Sequence, residues 1–227
     1  MKLSNKILLS FFGFAFLYLN AIFVEFRVNG IPNVLNDDNS IAESINIPGV
    51  TFIVLDNVTR DVKIIESDQP RLEIRSLSGG VLSNLKYQIS GDTLKLLGFA
   101  LRDNTRVRIS VFVGSKTLAG IAIHKSSVSI EGLKQDRLNI FGNDGRVWMS
   151  GNMITTIDAN VSKHSSFGIV GPSVDSLLVN IEESEVNIHT AVGVLESTLE
   201  NRASLHLDKV QVAQFKKDET SRLNINQ

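Results

Sequence analysis

Between Ser126 and the C-terminus one short pattern, small, polar, apolar, polar, apolar, occurs six times, most clearly as Ser184-Glu185-Val186-Asn187-Ile188. Laid over one another, the copies put Val128, Val147, Phe167, Val186, Leu205 and Leu223 in a first apolar column, at spacings of 19, 20, 19, 19 and 18 residues. Ile130, Met149, Ile169, Ile188, Leu207 and Ile225 form a second column two residues on. A period near twenty belongs to repeat architectures, in which no unit can bury its own apolar face and each must lie on the next. Apolar residues two apart share one face of a strand. The repeat therefore predicts an all-β fold, a parallel β-helix (β-solenoid) with strands about 4.8 Å apart, right-handed because parallel crossovers almost always are. Two-sided and three-sided coils both fit.

Further columns agree with this register. Ser126, Gly145, Ser165, Ser184, Ala203 and Ser221 precede the first apolar column and are all small, as a tight bend between closely stacked coils requires. Gly132, Gly151 and Gly171 follow the second column and mark the bend that leaves the strand. Leu118, Leu138, Ile157, Leu177, Leu195 and Phe215 form the column expected to close each coil.

The first half is less regular. Short strands are expected at Thr51–Leu55, Val62–Ile65, Leu72–Ile74, Lys86–Ile89 and Thr93–Leu97, with turns at Ser78-Gly79-Gly80 and Ser90-Gly91-Asp92. Arg106–Val113 follows, with Val107, Ile109, Val111 and Val113 on one face. These strands read as the widened or capped start of the same solenoid, since terminal repeats are atypical.

Upstream, Lys2 and Lys6 precede Ile7–Val24, eighteen residues without a charge, and Glu25 and Arg27 follow. As a helix this stretch is about 27 Å long, enough for the hydrocarbon core of a bilayer. The expectation is one uncleaved N-terminal transmembrane helix, with the lysines on the cytoplasmic side and the remainder outside that membrane, on the periplasmic side. A cleaved signal peptide, giving a secreted or cell-surface product, is the alternative. Gly13 and Ala15 satisfy the small-residue rule, but cutting there leaves a very short apolar region, and cutting after Ala21 puts Leu19 in a small position. The domain plan is thus an anchor or signal over 1–27, a polar tether over 28–46, and a solenoid over 47–227. Within the solenoid, 47–117 form irregular first coils and 118–227 regular ones. A short docked helix is expected around Ile41.

The strands Asp61-Val62-Lys63-Ile64, Leu72-Glu73-Ile74, Gly91-Asp92-Thr93-Leu94-Lys95-Leu96 and Val107-Arg108-Ile109-Ser110-Val111, followed by the coils, resemble the auto-transporter adhesin head GIN domains of bacterial envelope proteins. The likeness spans roughly 47–227. It implies an all-β helix outside the cytoplasm and an adhesin-like role. An obviously cleaved export signal is the feature of such proteins that this chain lacks.

The chemistry-bearing residues do not gather. A net charge of −1 gives no reason to expect nucleic acid as a partner. With no cysteine, disulfides, thiolate metal sites, a cysteine nucleophile and lipidation at an N-terminal cysteine are excluded. His124, His164, His189 and His206 fall in four different columns, so no metal site is expected. The column Lys125, Asp144, His164, Glu183, Arg202 and Thr220 alternates in sign, which suits a register-pinning charge ladder rather than an acid–base pair. No phosphate loop or Gly-x-Ser-x-Gly elbow occurs, and no catalytic, cofactor or metal residue is assigned.

Trp148 is the single tryptophan and points outward between Val147 and Met149. It either covers the bare backbone of Gly168 on the next coil or anchors a ligand, with Arg146, Asn187 and His206 on the same outer face. Three readings follow: an anchored solenoid presenting an adhesion or binding surface to an envelope protein or glycan; an envelope assembly component that self-associates through the solenoid end; and, least expected, a carbohydrate-active enzyme.

Overall fold

The computed structural model describes residues 3–29, 35, 37, 39–99 and 106–226, and within the N-terminal helix the side chains of residues 10–25 and 27. The chain divides into two compact units, Met1–Asn39 and Ser40–Gln227.

The first unit contains helix α1, Leu3–Asn29. It covers the whole uncharged segment. Phe11, Phe12, Phe14, Phe16, Leu17, Tyr18 and Leu19 are all exposed, and at 3.6 residues per turn such a run leaves no polar side. The one amide in this run, Asn20, donates Nδ2 to the Phe16 carbonyl at 2.7 Å, so its donor is met inside the helix. Among the described residues no helix is long and apolar enough to cross a membrane. The side chains described in α1 begin at Ser10, inside the Ile7–Val24 segment.

The second unit is an all-β solenoid. Its strands are β1 Ile41–Asn46, β2 Phe52–Asp56, β3 Val62–Glu66, β4 Arg71–Ser76, β5 Leu85–Ser90, β6 Thr93–Phe99, β7 Val107–Val113, β8 Gly120–His124 and β9 Ser127–Glu131. The regular coils continue with β10 Lys134–Asn143, β11 Arg146–Ser150, β12 Met153–Ser162, β13 Ser166–Val170, β14 Val174–Glu182, β15 Glu185–Glu200, β16 Ser204–Lys217 and β17 Arg222–Ile225. Every expected strand of the first half is present.

Both apolar columns hold residue for residue. Val147 pairs with Val128 and Phe167, Val186 with Phe167 and Leu205, and Leu223 with Leu205, all in parallel register. Of these, Val128 through Leu205 are almost fully buried, and one continuous core runs from Ile47 to Leu207. From β10 on, a longer strand (β10, β12, β14) alternates with a shorter one (β11, β13). In β15 and β16 a shorter stretch runs on into a longer one, and the five-residue β8 and β9 stack on β10 and β11. The longer strand skips a residue in its inward alternation, as between Ile154 and Ile157 in β12 and between Val174 and Leu177 in β14. It therefore carries a bend of its own.

The closing column holds in its middle and fails at its ends. Leu138, Ile157, Leu177 and Leu195 are paired as expected, but Leu195 then meets Ala213, and Phe215 pairs with Ser197. A one-residue slip in the ladder between Ile188 and Ala191 shortens that coil and accounts for one of the two places by which Phe215 misses Leu195. At the other end Leu118 is buried but precedes β8, which begins at Gly120.

The irregular first coils have a physical explanation. β2 lies between β6 and β8, and β3 between β7 and β9, all in parallel pairs. The chain thus leaves the β2–β3 coil, builds an outer one from β6 and β7, and returns to β8. On this outer coil β4 pairs antiparallel with β7, β1 with β4, and β5 with β6. Strands of opposite direction end the parallel stack and cover edges that would otherwise template further pairing. The helix expected around Ile41 is therefore a strand, β1, because the edge of β4 offers it a complete ladder. β1 takes the last six residues of the expected tether.

Corners explain the small-residue column. Lys125, Asp144, His164, Glu183 and Arg202 have φ of 46°, 54°, 62°, 47° and 66°, the left-handed region that non-glycine residues seldom enter. The next residue faces inward against the neighbouring coil. A Cβ at Gly145 would stand 2.6 Å from the Ser126 carbonyl oxygen, so glycine is required there. Where serine fits, its hydroxyl takes a stacked backbone donor: the amides of Val58, Gly145, Ser165 and Ala203 donate to Oγ of Ser126, Ser165, Ser184 and Ser221 at 3.0–3.2 Å. Gly132, Gly151 and Gly171, with φ of 70°, 63° and 132°, make the opposite corner.

Candidate functional site

Trp148, Asn187 and His206 stand in a single outward column, Lys63–Ser129–Trp148–Gly168–Asn187–His206–Asn224, on β3, β9, β11, β13 and the first parts of β15, β16 and β17. Arg146 lies two residues earlier, in the adjacent column Arg146–Ser166–Glu185–Ser204–Arg222. The four expected contact residues do share one face. Trp148 is 41% exposed, yet its indole also covers the next coil, where a Cβ at Gly168 would come within 2.3 Å of Cε3 and Cζ3. Both readings of this tryptophan, cover and contact, are physically compatible.

Below Gly168 the column is a polar ladder. Asn187 donates Nδ2 to Glu185 Oε1 at 2.9 Å, Ser204 Oγ lies 3.3 Å from His206 Nε2, and Asn224 Nδ2 lies 3.5 Å from His206 Nδ1. These groups are held in place by one another. The face is an ordered surface with Trp148 partway along it, suited to contact rather than to bond-making.

Beside Arg146, the mixed charges of Arg60, Asp61, Lys125, Asp144 and His164 line a concavity of about 510 Å³ with it. Among the described residues no group of three or more His, Asp or Glu is placed to hold a metal ion. His124 pairs with Asn143 and His189 with Asp208, each at 3.2 Å and on separate coils. In the alternating column, the ion pair seen is Arg202 Nη2 to Glu183 Oε1 at 3.8 Å, between exposed side chains that contribute little. That column is first of all the left-handed corner.

Three carboxylates are held below the ordinary range, and all three organise chain ends or turns. Hydrogen bonds from Leu82, Val81 and Gly80 amides lower Glu43, and the Thr51 hydroxyl, with Thr93, lowers Asp92. Asp218 is lowered to about 2, first by Ser221, then by the Asn201 amide and Thr220. None of them faces another carboxylate as an acid–base pair would.

Reading the sequence for contact residues missed the longer strands. There Asn180 donates Nδ2 to Asn160 Oδ1 at 2.9 Å, and Phe141 is 45% exposed beside Phe52, ring centroids 6.4 Å apart. The available signal was the twenty-residue spacing of the two asparagines.

No family model matches the chain, and no curated protein matches it. Among solved structures it is similar to a "putative adhesin" from Bacteroides fragilis, with 13% identity, a TM-score of 0.56, and coverage of 86% of this chain and 99% of that one. It is also similar to a "putative adhesin" from Parabacteroides distasonis, with 14% identity, a TM-score of 0.54, and coverage of 82% and 93%. At such identities the likeness is one of fold.

Proposed function

We propose that the chain is a membrane-anchored, right-handed β-solenoid on the periplasmic side of a bacterial envelope, where it presents a non-catalytic adhesion or binding surface. The observation that carries the binding role is the ordered outer column that contains the exposed Trp148, with Arg146, Asn187 and His206 on the same face. Aromatic and arginine side chains on such surfaces supply most of the energy of contact. The adhesin names of the similar solved structures agree with this role, as does the resemblance to head GIN domains. The anchor is supported by the exposed apolar side chains from Phe11 to Val24 and by Lys2 and Lys6 ahead of the uncharged segment Ile7–Val24.

The test combines intact mass, separation of inner and outer membranes, and protease treatment of spheroplasts. A full-length product in the inner membrane, its solenoid digested from outside, is the expected result. A product shorter by about twenty residues beyond that membrane would replace the anchor by a cleaved signal. A full-length cytosolic product would end the reading. Vesicles carrying the chain should also bind purified envelopes less well after Trp148→Ser, and unchanged binding would remove that face.

One observation favours an assembly role as a second reading. Among the described residues the outer edge of Lys209–Lys217 has no paired strand, and Phe215 and Ile225, at core positions of the last coil, are 49% and 37% exposed. A second copy stacking on this end would cover both. Concentration-dependent sedimentation of the full chain distinguishes it.

A further inference from the structure

The longer strands carry a trough. Concavities of about 520, 350 and 500 Å³ lie in line across them, the first two sharing Asn160 and Ser162 and the last two sharing Thr198. Together they cross β2, β8, β10, β12, β14, β15 and β16, a length of about 30 Å at the spacing of hydrogen-bonded strands. The floor is one outward column, Val54, Ala122, Phe141, Asn160, Asn180 and Thr198.

Its chemistry changes along its length in a way that selects an occupant. On the third of the seven strands Phe141 offers aromatic surface within the first concavity, with Phe52 packed beside it. Amides and hydroxyls follow, with Asp56, Glu182 and Glu200 along one side, and neither lysine nor arginine lines the first two concavities. Over these two a polyanion finds no cation and meets carboxylates instead, and the lysine of the lining, Lys216, stands at the far end of the trough beyond Thr198. An extended peptide finds no strand edge, because the floor is a sheet face whose backbone groups are already paired within the stack. Polar groups recurring at each coil beside an aromatic ring match a repeating chain of hydroxyls and C–H faces.

We propose that this trough binds a linear neutral glycan, which lies across the coils with a sugar face on Phe141 and its hydroxyls on the Asn160–Asn180 ladder and the flanking carboxylates. The inference rests on the reading of the solenoid as a binding scaffold. It does not rest on the Trp148 face.

The test uses the full chain in lipid nanodiscs, free of sugar-headed detergent. Titrations employ linear hexasaccharides of glucose, mannose, galactose and N-acetylglucosamine as neutral probes, with a heparin hexasaccharide and hexalysine as charged ones. At least one neutral probe should bind, and Phe141→Ser and Asn180→Lys should each weaken it by about tenfold, as loss of an aromatic contact or insertion of a long cation into the floor would. Trp148→Ser should leave that binding unchanged. Circular dichroism of each variant confirms folding, and both trough residues point outward. Failure of all neutral probes at millimolar concentration overturns the proposal, as does binding indifferent to both trough variants. Binding of hexalysine alone would make the trough a cationic-peptide site. Loss of neutral-probe binding on Trp148→Ser, with the trough variants intact, overturns the trough and leaves the Trp148 face standing.

Discussion

Trp148 lies over Gly168 so closely that a Cβ on the glycine would come within 2.3 Å of two indole carbons. The bare backbone and the aromatic form one unit across adjacent coils. Gly168→Ala should therefore force the indole outward and destabilise the domain by about 1–3 kcal/mol, the usual cost of overpacking. Trp148 is the single tryptophan, so its emission reports the event without interference. A red-shifted spectrum and a lower melting temperature are the expected outcomes. An unshifted spectrum would show that the ring does not depend on the glycine.

Ile188 and Asn187 are neighbours in sequence with opposite surroundings. Ile188 is fully buried, whereas Asn187 sits half-buried on the outer face. Ile188→Asp places an unpaired charge in the core and should unfold the solenoid, while Asn187→Asp should leave melting within about 1 kcal/mol of the parent. Thermal melts of the two variants settle the inward–outward alternation on which the whole register stands.

That alternation was legible because it reports burial directly. Val128 and Ile130 could be matched to Val186 and Ile188 since a buried column tolerates only apolar side chains at a fixed spacing. The placement of β6 and β7 outside β2 and β3 was not legible, because Leu94 and Leu96 suit a coil on either side of Ile53 and Leu55 equally well. Lys125, Asp144, His164, Glu183 and Arg202 hid the left-handed corner, since none carries the signature that glycine does. Phe215 stands two places past Ala213, the partner of Leu195, and the ladder slip after Ile188 supplies one of them, a change with no local mark. The Trp148 face could be drawn from the repeat, whereas the trough depends on how residues of seven strands curve together.

The serine column makes a stability prediction of its own. Ser165 donates its buried amide to Ser184 Oγ at 3.0 Å, so Ser184→Ala leaves that donor unpaired between coils. The expected loss is about 1–3 kcal/mol, the cost of an orphaned buried donor. Ser204→Ala, which removes a hydroxyl beside exposed His206, should cost less than about 0.5 kcal/mol. Urea midpoints of the two variants should differ accordingly, and equal midpoints would mean that the ladder contributes nothing.

At the glycine corner, Gly171 has φ of 132°, and a Cβ there would stand 2.9 Å from the Gly151 amide nitrogen. Ser173, two residues on, is exposed. Gly171→Val combines a forbidden backbone conformation with a clash against backbone that cannot move aside, so it should cost several kilocalories per mole, about 3 or more. Ser173→Val should change the melting temperature little. Comparable losses would mean that the bend is made elsewhere.

Asp218 ties the last corner together: its carboxylate accepts the Asn201 amide at 2.7 Å, the Ser221 amide at 2.8 Å and the Thr220 amide at 3.1 Å. The Ser221 hydroxyl first, then the Asn201 amide, the Thr220 hydroxyl and the Ser221 amide favour the ionised form and lower its pKa from 3.8 to about 2. A group depressed on folding contributes stability that is fully present above its unfolded value and lost as pH falls through the folded one. The closing coil should therefore loosen as pH falls from about 4 to about 2, with faster hydrogen exchange at the Asn201 and Ser221 amides. Asp218→Asn removes the titrating group, so exchange there should be faster at neutral pH and should lose its acid dependence beyond the intrinsic chemistry of the amide. If the variant keeps the parent's dependence, a different carboxylate controls this end of the solenoid.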